Sequence, residues 1–264
     1  MLILGIETST RQVSCALGGG GGVLASFTAS RQQQHTEMLA PAIQYVTRAA
    51  GVALADIDVV AVGLGPGLFT GLRVGVATGQ ALAQALEVPV VGVPTLDVVA
   101  HRLRAAGRSL LVAMDARRSE LFWACFRPGP DVGLGRGGPD RVDLPQHVAA
   151  VAAELGPDAL VVGDGPARYP AVFAEIPPAR LIRGEAMLPS AVAVVELSAE
   201  RLTASGVTLT GDGAEALELT AQPVQGLFVN EEVRPIYVRA PDAEAHWVER
   251  SGVVGPSDLA GLSH

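Results

Sequence analysis

The run from Asp58 to Val93, DVVAVGLGPGLFTGLRVGVATGQALAQALEVPVVGV, most constrains what this chain can become. Val59, Val60, Ala61 and Val62 form a short apolar run that stops at Gly63, Gly65, Pro66 and Gly67, the pattern of a buried strand ending in a tight turn. Phe69 and Thr70 lead into Gly71 to Leu86, free of proline and rich in Ala, Leu and Gln, which predicts a helix. Glu87-Val88-Pro89 ends it before a second apolar strand, Val90 to Val93. Strand, helix and strand in this order make one β-α-β unit of a parallel sheet, so the chain is an α/β protein.

Gly71, Gly75 and Gly79 recur at i, i+4 spacing in the helix, with Ala83 next on the same face. Each glycine inside a helix costs roughly 1 kcal/mol relative to alanine, so three on one stripe require a compensating gain. A flat stripe lets another backbone approach, either the chain's own sheet or the helix of a partner. A membrane partner is disfavoured, because Arg73, Gln80, Gln84 and Glu87 interrupt an apolar span of the required ~20 residues. The Gly65 to Gly71 turn is also a weak phosphate-loop candidate. Its amides and the helix N-terminus point one way, with Thr70 and Arg73 close by, but it lacks the lysine of a P-loop, and all 19 basic residues of the chain are arginine.

Of the 264 residues 49% are apolar and 17% charged, the balance of a folded chain long enough for one large domain or two lobes. The start, MLILGIETS, has no basic n-region or cleavage-like site and reads at once as a strand, so a cytoplasmic protein is expected. Cys15 and Cys125 each sit in an apolar strand pattern and are expected as buried free thiols. His35, His101, His147, His246 and His264 are scattered with no ligand spacing, and no metal site is expected. Residues 1 to 106 hold six acidic residues and six arginines, leaving 21 acids against 13 arginines to carry the whole net charge of −8. A neutral first half suits a protein interface better than a nucleic-acid groove, which needs a basic stripe.

Leu2 to Ile6 reads as a strand ending at Glu7, Thr8 to Arg11 as a polar turn, and Val13 to Leu17 and Val23 to Phe27 as two more strands. Thr36 is a candidate cap for a helix from Glu37 to Ala50 with Leu39, Ile43, Val46 and Ala50 on one face, and a further helix is expected from about Thr95 to Ala106. At Ser109 the pattern restarts. With an offset of 108, Glu7 matches Asp115 and the Leu2 to Leu17 hairpin overlays Leu110 to Cys125 without a gap. With an offset of 100, Asp58 to Pro66 overlays Asp158 to Pro166. The chain therefore reads as a duplication, with a first lobe at 1–107, a second at 108–240 and a loose tail at 241–264. Ser190 to Ser205 is an amphipathic helix capped by Ser190 and stopped by Gly206, Gly211 to Asn230 reads as an extended insertion, and Arg234 to Arg239 as a last ordered segment.

Two hairpin lobes, each with a carboxylate at the end of its first strand, resemble the duplicated actin-like and Hsp70-like ATPase fold, a ribonuclease H-like fold in which ATP lies between the lobes, carboxylates hold magnesium and hairpin amides hold phosphates. In that reading Glu7, Thr8, Gly65, Gly67, Thr70 and Arg73 are the phosphate-loop candidates. The second hairpin, ARRS, carries no glycine and fits poorly; Asp115 is expected to pair instead with Arg117 or Arg118 on the surface.

GLGPGLFTGLRVGVATGQALA resembles the G-x-G-P-G-S-F-T-G-[LVI]-R-[IV]-G signature of the TsaB (YeaZ-like) family of bacterial tRNA threonylcarbamoyladenosine biosynthesis proteins. LGIETST, MDARRSELFWACF and RPIYVR are similar to its pattern too, so the resemblance covers residues 1 to 127 and returns near 234 to 239. Departures are Leu68 where serine is usual, Glu7 where aspartate is frequent, and the long 207 to 230 segment. The resemblance implies a non-catalytic paralogue of TsaD, the enzyme that transfers a threonylcarbamoyl group from its adenylate to the tRNA adenosine beside the anticodon, and whose H-x-x-x-H metal motif is missing here. It further implies a scaffold with no cofactor of its own, ATP and metal residing on the partners. TsaD would dock on the first-lobe helices through Leu39, Ile43, Val46, Gly71, Gly75, Gly79 and Ala83, and a TsaE-like ATPase would join. tRNA would be reached through the complex, and the sequence leaves open both a monomer and a homodimer when the chain is alone. The alternative is an active ATP-dependent phosphotransferase with Glu7 and Asp115 on magnesium; a peptidase has no visible nucleophile-base-acid set.

Overall fold

A computed structural model describes residues 1–30, 35–129, 133–205 and 227–238. The first lobe opens with β1 (Ile3–Glu7), β2 (Gln12–Gly19) and β3 (Gly22–Ser30), followed by α1 (His35–Ala50), β4 (Val59–Gly63), α2 (Phe69–Leu86) and β5 (Val90–Val93). The β-α-β unit thus forms as its sequence predicts. β1 pairs parallel with β4 and β4 with β5, while β2 runs antiparallel to both β1 and β3. β1 and β4 are buried along their whole length, which is why they read as unbroken apolar runs. β3, at the sheet edge, alternates between exposed and half-buried residues.

α3 (Thr95–His101) is buried at every residue, and the expected longer helix breaks after it into a short 3-10 turn, Arg104–Ala106. Its Val98 packs into the first lobe, while Leu96, Val99 and Ala100 pack under the second. That second lobe holds β6 (Leu110–Arg117), β7 (Glu120–Pro128), β8 (Leu134–Arg136), β9 (Arg141–Asp143), α4 (Pro145–Glu154), β10 (Leu160–Val162) and the single turn α5 (Gly165–Arg168). Its strand path, β10-β6-β7-β8, repeats the β4-β1-β2-β3 path of the first lobe.

The repeat is present, but its registers differ from the ungapped overlay. Glu7 faces Ser14, whereas Asp115 faces Leu121 and not Phe122, so the second hairpin is one residue shorter and carries an irregularity between Asp115 and Arg117. Ile6 pairs with Val62, yet Val162 pairs with Val112 and not with Met114. This second shift is of two residues, which keeps each side chain on its own face of the sheet.

The chain then returns to the first lobe. α6 (Ala191–Ala204), capped by the Ser190 hydroxyl as its sequence predicts, lays Ala191, Val194, Val195 and Leu202 against Ile3, Ala16, Val59 and Val91. β11 (Phe228–Val229) adds antiparallel to β5 and completes a six-stranded sheet in the order β11-β5-β4-β1-β2-β3. The first lobe is therefore not the contiguous span 1–107 suggested by the repeat, since residues 191–204 and 228–229 complete it. α1 and α2 cover the other face of that sheet. The Gly206 stop, most of the 207–230 segment and the tail from 241 lie outside the described residues.

A polar seam joins the lobes beside α3. The buried Asp97 carboxylate accepts from Arg136 Nε at 2.8 Å and from Arg201 at 2.6 Å, linking α3, β8 and α6. Next to it His101 lies 3.3 Å from Glu196 and 3.6 Å from Glu200. Burial, aided by Arg104 and Arg201, pushes this imidazole down to about 3, so it is neutral at physiological pH and neither contact is then an ion pair.

Candidate functional site

The end of β1 and the start of α2 meet in the middle of the first lobe. Glu7 is 2% exposed; its Oε1 accepts the Ser9 amide at 2.6 Å, while Oε2 is buried with no hydrogen-bond partner among the described residues. That oxygen occupies the space where a side chain at position 63 would stand, so Gly63 is what admits Glu7. Burial outweighs the influence of Ser9 and Thr8 and pushes the carboxyl above its ordinary range, favouring the neutral acid.

The neighbouring Thr8 hydroxyl donates to the Gly71 carbonyl at 2.8 Å. A side chain at Gly71 would collide with the Thr8 carbonyl, one at Gly75 with the Thr8 hydroxyl, and one at Gly79 with Val62. The glycine stripe is therefore the inner face of α2, pressed on its own sheet. Ala83, Leu39, Ile43 and Val46 belong to the same buried core. This corrects the expected partner face: the seven residues Leu39, Ile43, Val46, Gly71, Gly75, Gly79 and Ala83 point into the lobe, because regular apolar spacing marks the face a helix buries.

The phosphate-loop candidates do not converge either. The Gly65 amide donates to Thr95 Oγ1 at 3.0 Å, the Gly65 carbonyl accepts from the Thr95 amide at 2.7 Å, and the Leu68 amide donates to the Ser9 carbonyl at 2.6 Å. Those backbone groups are spent inside the fold. Thr70 is exposed, and the Arg73 guanidinium lies 3.8 Å over the Phe69 ring with its Nε donating to the Tyr237 hydroxyl at 3.3 Å. Only Gly67 of this set lines the cleft between the lobes.

That cleft has a volume of about 350 Å³ and lies between the two matching hairpin turns, with Ser9, Thr10 and Arg11 on one side and Asp115, Arg117 and Arg168 on the other. Asp115 repeats the geometry of Glu7, since its Oδ1 accepts the amide two residues on, that of Arg117, at 3.1 Å. Its other oxygen lies 3.5 Å from the Arg117 guanidinium, the pairing expected from the sequence, although the carboxylate is only 12% exposed and not a surface group. Asp164 accepts the Asp115 amide at 2.8 Å, and burial, reinforced by the charge of Asp115, pushes its carboxyl up. Glu7 is walled off against Gly63 and Asp115 is held by Arg117, so the two carboxylates do not fit a magnesium-nucleotide pair. Among the described residues no group of three or more His, Cys, Asp or Glu is arranged to hold a metal.

The outward face of α2 is formed by Thr70, Arg73, Ala77, Gln80, Ala81, Gln84 and Ala85, all exposed. Arg73 is the single charged residue in this 18-residue helix. Beside it α1 exposes Ala40, Pro41, Gln44 and Tyr45, the last 55% exposed and packed on Phe27. Tyr237 returns from the far end of the chain to stack on Phe69 at 5.3 Å, held in place by the Ile236 amide bonding to the Leu64 carbonyl and by Gln80 bonding to the Val233 carbonyl. Nothing in the local sequence of 233–238 marks this return; RPIYVR signals only an ordered segment.

Two lobes with one repeated strand path, a cleft between matching hairpins and a crossing helix beneath them define the actin-like, ribonuclease H-like class of α/β proteins. Residues 21–131 match the family model described as TsaD, tRNA N6-adenosine threonylcarbamoyltransferase. The tRNA threonylcarbamoyladenosine biosynthesis protein TsaB of Escherichia coli is 34% identical over 224 residues, covering 83% of this chain and 94% of that protein. A shorter match, 32% identical over 46% of this chain and 59% of the relative, is to TsaB of Buchnera aphidicola. Among solved structures, a Pseudomonas aeruginosa protein described as similar to peptidase YeaZ aligns with a TM-score of 0.70 and 28% identity, covering 90% of this chain and 99% of that one. A second, YeaZ from the same organism, aligns with a TM-score of 0.67 and 28% identity, covering 81% and 98%. The chain belongs to the TsaB family of tRNA threonylcarbamoyladenosine biosynthesis proteins.

Proposed function

We infer that this chain acts in tRNA threonylcarbamoyladenosine synthesis as a non-catalytic scaffold and activating subunit, docking a TsaD-like catalytic subunit through the outward faces of α1 and α2. The observation that carries the docking reading is the outer surface of α2. Ala77, Ala81 and Ala85 repeat there at i, i+4 spacing between uncharged glutamines, where a solvated helix would carry charged pairs. Small side chains let a second helix approach closely, and the stacked Phe69, Arg73 and Tyr237 border the same face with residue types that anchor interfaces. The glycines do their work on the other side of the helix, holding it flat on the sheet.

In the same reading a TsaE-like ATPase joins the pair, ATP and metal reside on the partner subunits, tRNA is met only through the assembly, and the uncovered face supports a homodimer when the chain is alone. Among the described residues no helix is long and apolar enough to cross a membrane, and the place of action is the cytoplasm, where tRNA is modified. The test is size-exclusion chromatography with light scattering of this chain mixed with the TsaD homologue of its host. A stable heteromeric peak is expected; separate elution across salt and nucleotide conditions would overturn the docking reading.

A further inference from the structure

We propose that the second lobe carries a pocket for an aliphatic carboxylate, its hydrocarbon body seated between α5 and the segment 181–187 and its head group held by Arg183. The pocket adjoins the inter-lobe cleft only at Ala167 and uses none of the charged groups of that cleft.

The pocket exists because the repeat is incomplete. In the first lobe the Gly63 to Gly67 turn after β4 leads into the 18-residue helix α2, which covers the sheet. The matching turn after β10 leads only into the four-residue α5. Pro170, Pro177 and Pro178 follow, and each lacks the amide that a helix would need. The chain turns instead, and comes back beside β10 at a single parallel bridge between Val161 and Leu181, with the Ile182 amide donating to the Val161 carbonyl at 2.9 Å. Turns fill this layer less completely than a helix, and a volume of about 430 Å³ is left.

That volume is within the range of small-molecule sites. Its floor is Phe173 and Ile176, 1% and 4% exposed, which belong to the same core as Leu111 and Val161. Pro166, Pro170 and Pro178 line it as well and have no side-chain freedom to lose, so the pocket is formed before a ligand arrives. Met187 adds an adaptable apolar surface.

Arg183 is the single charged residue of the lining. It is exposed, and among the described residues its guanidinium makes no hydrogen bond or ion pair. No other lining side chain carries a nitrogen or oxygen atom. A ligand with hydroxyl or amide groups along its body would leave them unsatisfied there, so the body that fits is a plain hydrocarbon. One terminal anion completes the match. A carboxylate brings a single charge to this single cation and accepts two parallel bonds from a guanidinium, whereas a phosphate monoester brings close to two charges and an ammonium head is repelled.

Calorimetric titration of the full chain with octanoate, octanol, octylamine and octyl phosphate, each below the concentration at which it forms micelles, tests the assignment. Octanoate is expected to bind at one molecule per chain, at least about fivefold more tightly than the other three. Arg183→Gln should weaken octanoate by about the same factor and leave octanol unchanged, a split that a purely apolar pocket would not give. Ala174→Trp, at an exposed position of the lining, should abolish binding of both while melting as the parent does; should it fail to fold, Arg183→Gln still decides. Octanoate binding that does not saturate into the millimolar range, exceeds one molecule per chain or is unchanged in Arg183→Gln would overturn the proposal. A chain that refuses octanoate, yet whose complex with the TsaD-like subunit is weakened by Ala174→Trp, would use the pocket for an apolar side chain of that partner, and this too would overturn it.

Discussion

The Thr8 hydroxyl and the Gly71 carbonyl are joined by a 2.8 Å hydrogen bond, so the first turn of α2 is bonded directly to the end of β1. No room is left between them for a side chain at the next turn of the stripe. Gly75→Leu is therefore expected to damage the fold, because the added atoms meet the Thr8 side chain within a buried core. Overpacking of this kind costs about 1–3 kcal/mol and sometimes more. Gly75→Ala should destabilise less, as its better helix propensity offsets part of the clash by about 1 kcal/mol. Thermal unfolding followed by circular dichroism ranks the variants; a Gly75→Leu chain as stable as the parent would place the stripe on the surface.

What the sequence revealed and what it hid follow one division. Elements set by local chemistry were readable: Val90 to Val93 is a strand end to end, Ser190 caps α6, and the Gly65-Pro66 turn separates β4 from α2. Spacing also showed that Gly71, Gly75 and Gly79 share a face, but not what meets that face, since the answer depends on Thr8, more than 60 positions away by the 63-residue span of the Thr8–Gly71 bond. The same limit hid the return of α6 and β11 to the first sheet and the stacking of Tyr237 on Phe69, all contacts between distant segments. The repeat was visible because apolar patterns are; its one-residue and two-residue register shifts were not, because alternating Val, Leu and Ala align equally well at neighbouring offsets. Of the cleft, the sequence drew attention to Asp115 and Arg117 but gave no sign that Arg168 would join Arg11.

Asp97 is expected to be the most sensitive polar residue of the fold. Asp97→Ala leaves the guanidiniums of Arg136 and Arg201, 16% and 18% exposed, without their shared carboxylate. Removing one partner of a buried charge cluster costs about 3–5 kcal/mol. Urea denaturation should show a lower midpoint with an unchanged slope, the mark of lost stability without altered compactness. Asp97→Asn, which keeps one acceptor oxygen, should lose less. Equal stability of Asp97→Ala and the parent would show that solvent substitutes for the seam.

Glu7 gives the stability a definite pH dependence. Its carboxyl ionises above its ordinary value of 4.5 in the folded chain, so between the unfolded and folded values the native state holds a proton that the unfolded state has released. Stability from this group therefore falls as pH rises from about that ordinary value, the reverse of an ion-paired carboxylate. Glu7→Gln removes the titration while keeping an oxygen to accept the Ser9 amide. The melting temperature of the parent should decline across this window more steeply than that of Glu7→Gln; identical slopes would mean that Glu7 does not titrate in the folded protein.

The two faces of α2 predict opposite behaviour for substitutions six residues apart in the same helix. Ala81 is exposed and belongs to the outward stripe, so Ala81→Arg should change stability by no more than about 0.5 kcal/mol. In the docked assembly, however, a long cation would stand where a partner helix packs, and the expected result is a complex with the TsaD-like subunit weakened by at least about tenfold, with 1.4 kcal/mol of steric and desolvation cost being sufficient. Gly75→Leu should show the converse order of events, losing its fold before any question of docking arises. Light scattering of the mixtures, paired with melting curves of each variant alone, separates the two effects. If Ala81→Arg binds the partner as the parent does, the outward face of α2 is not the docking surface, whatever becomes of the glycines beneath it.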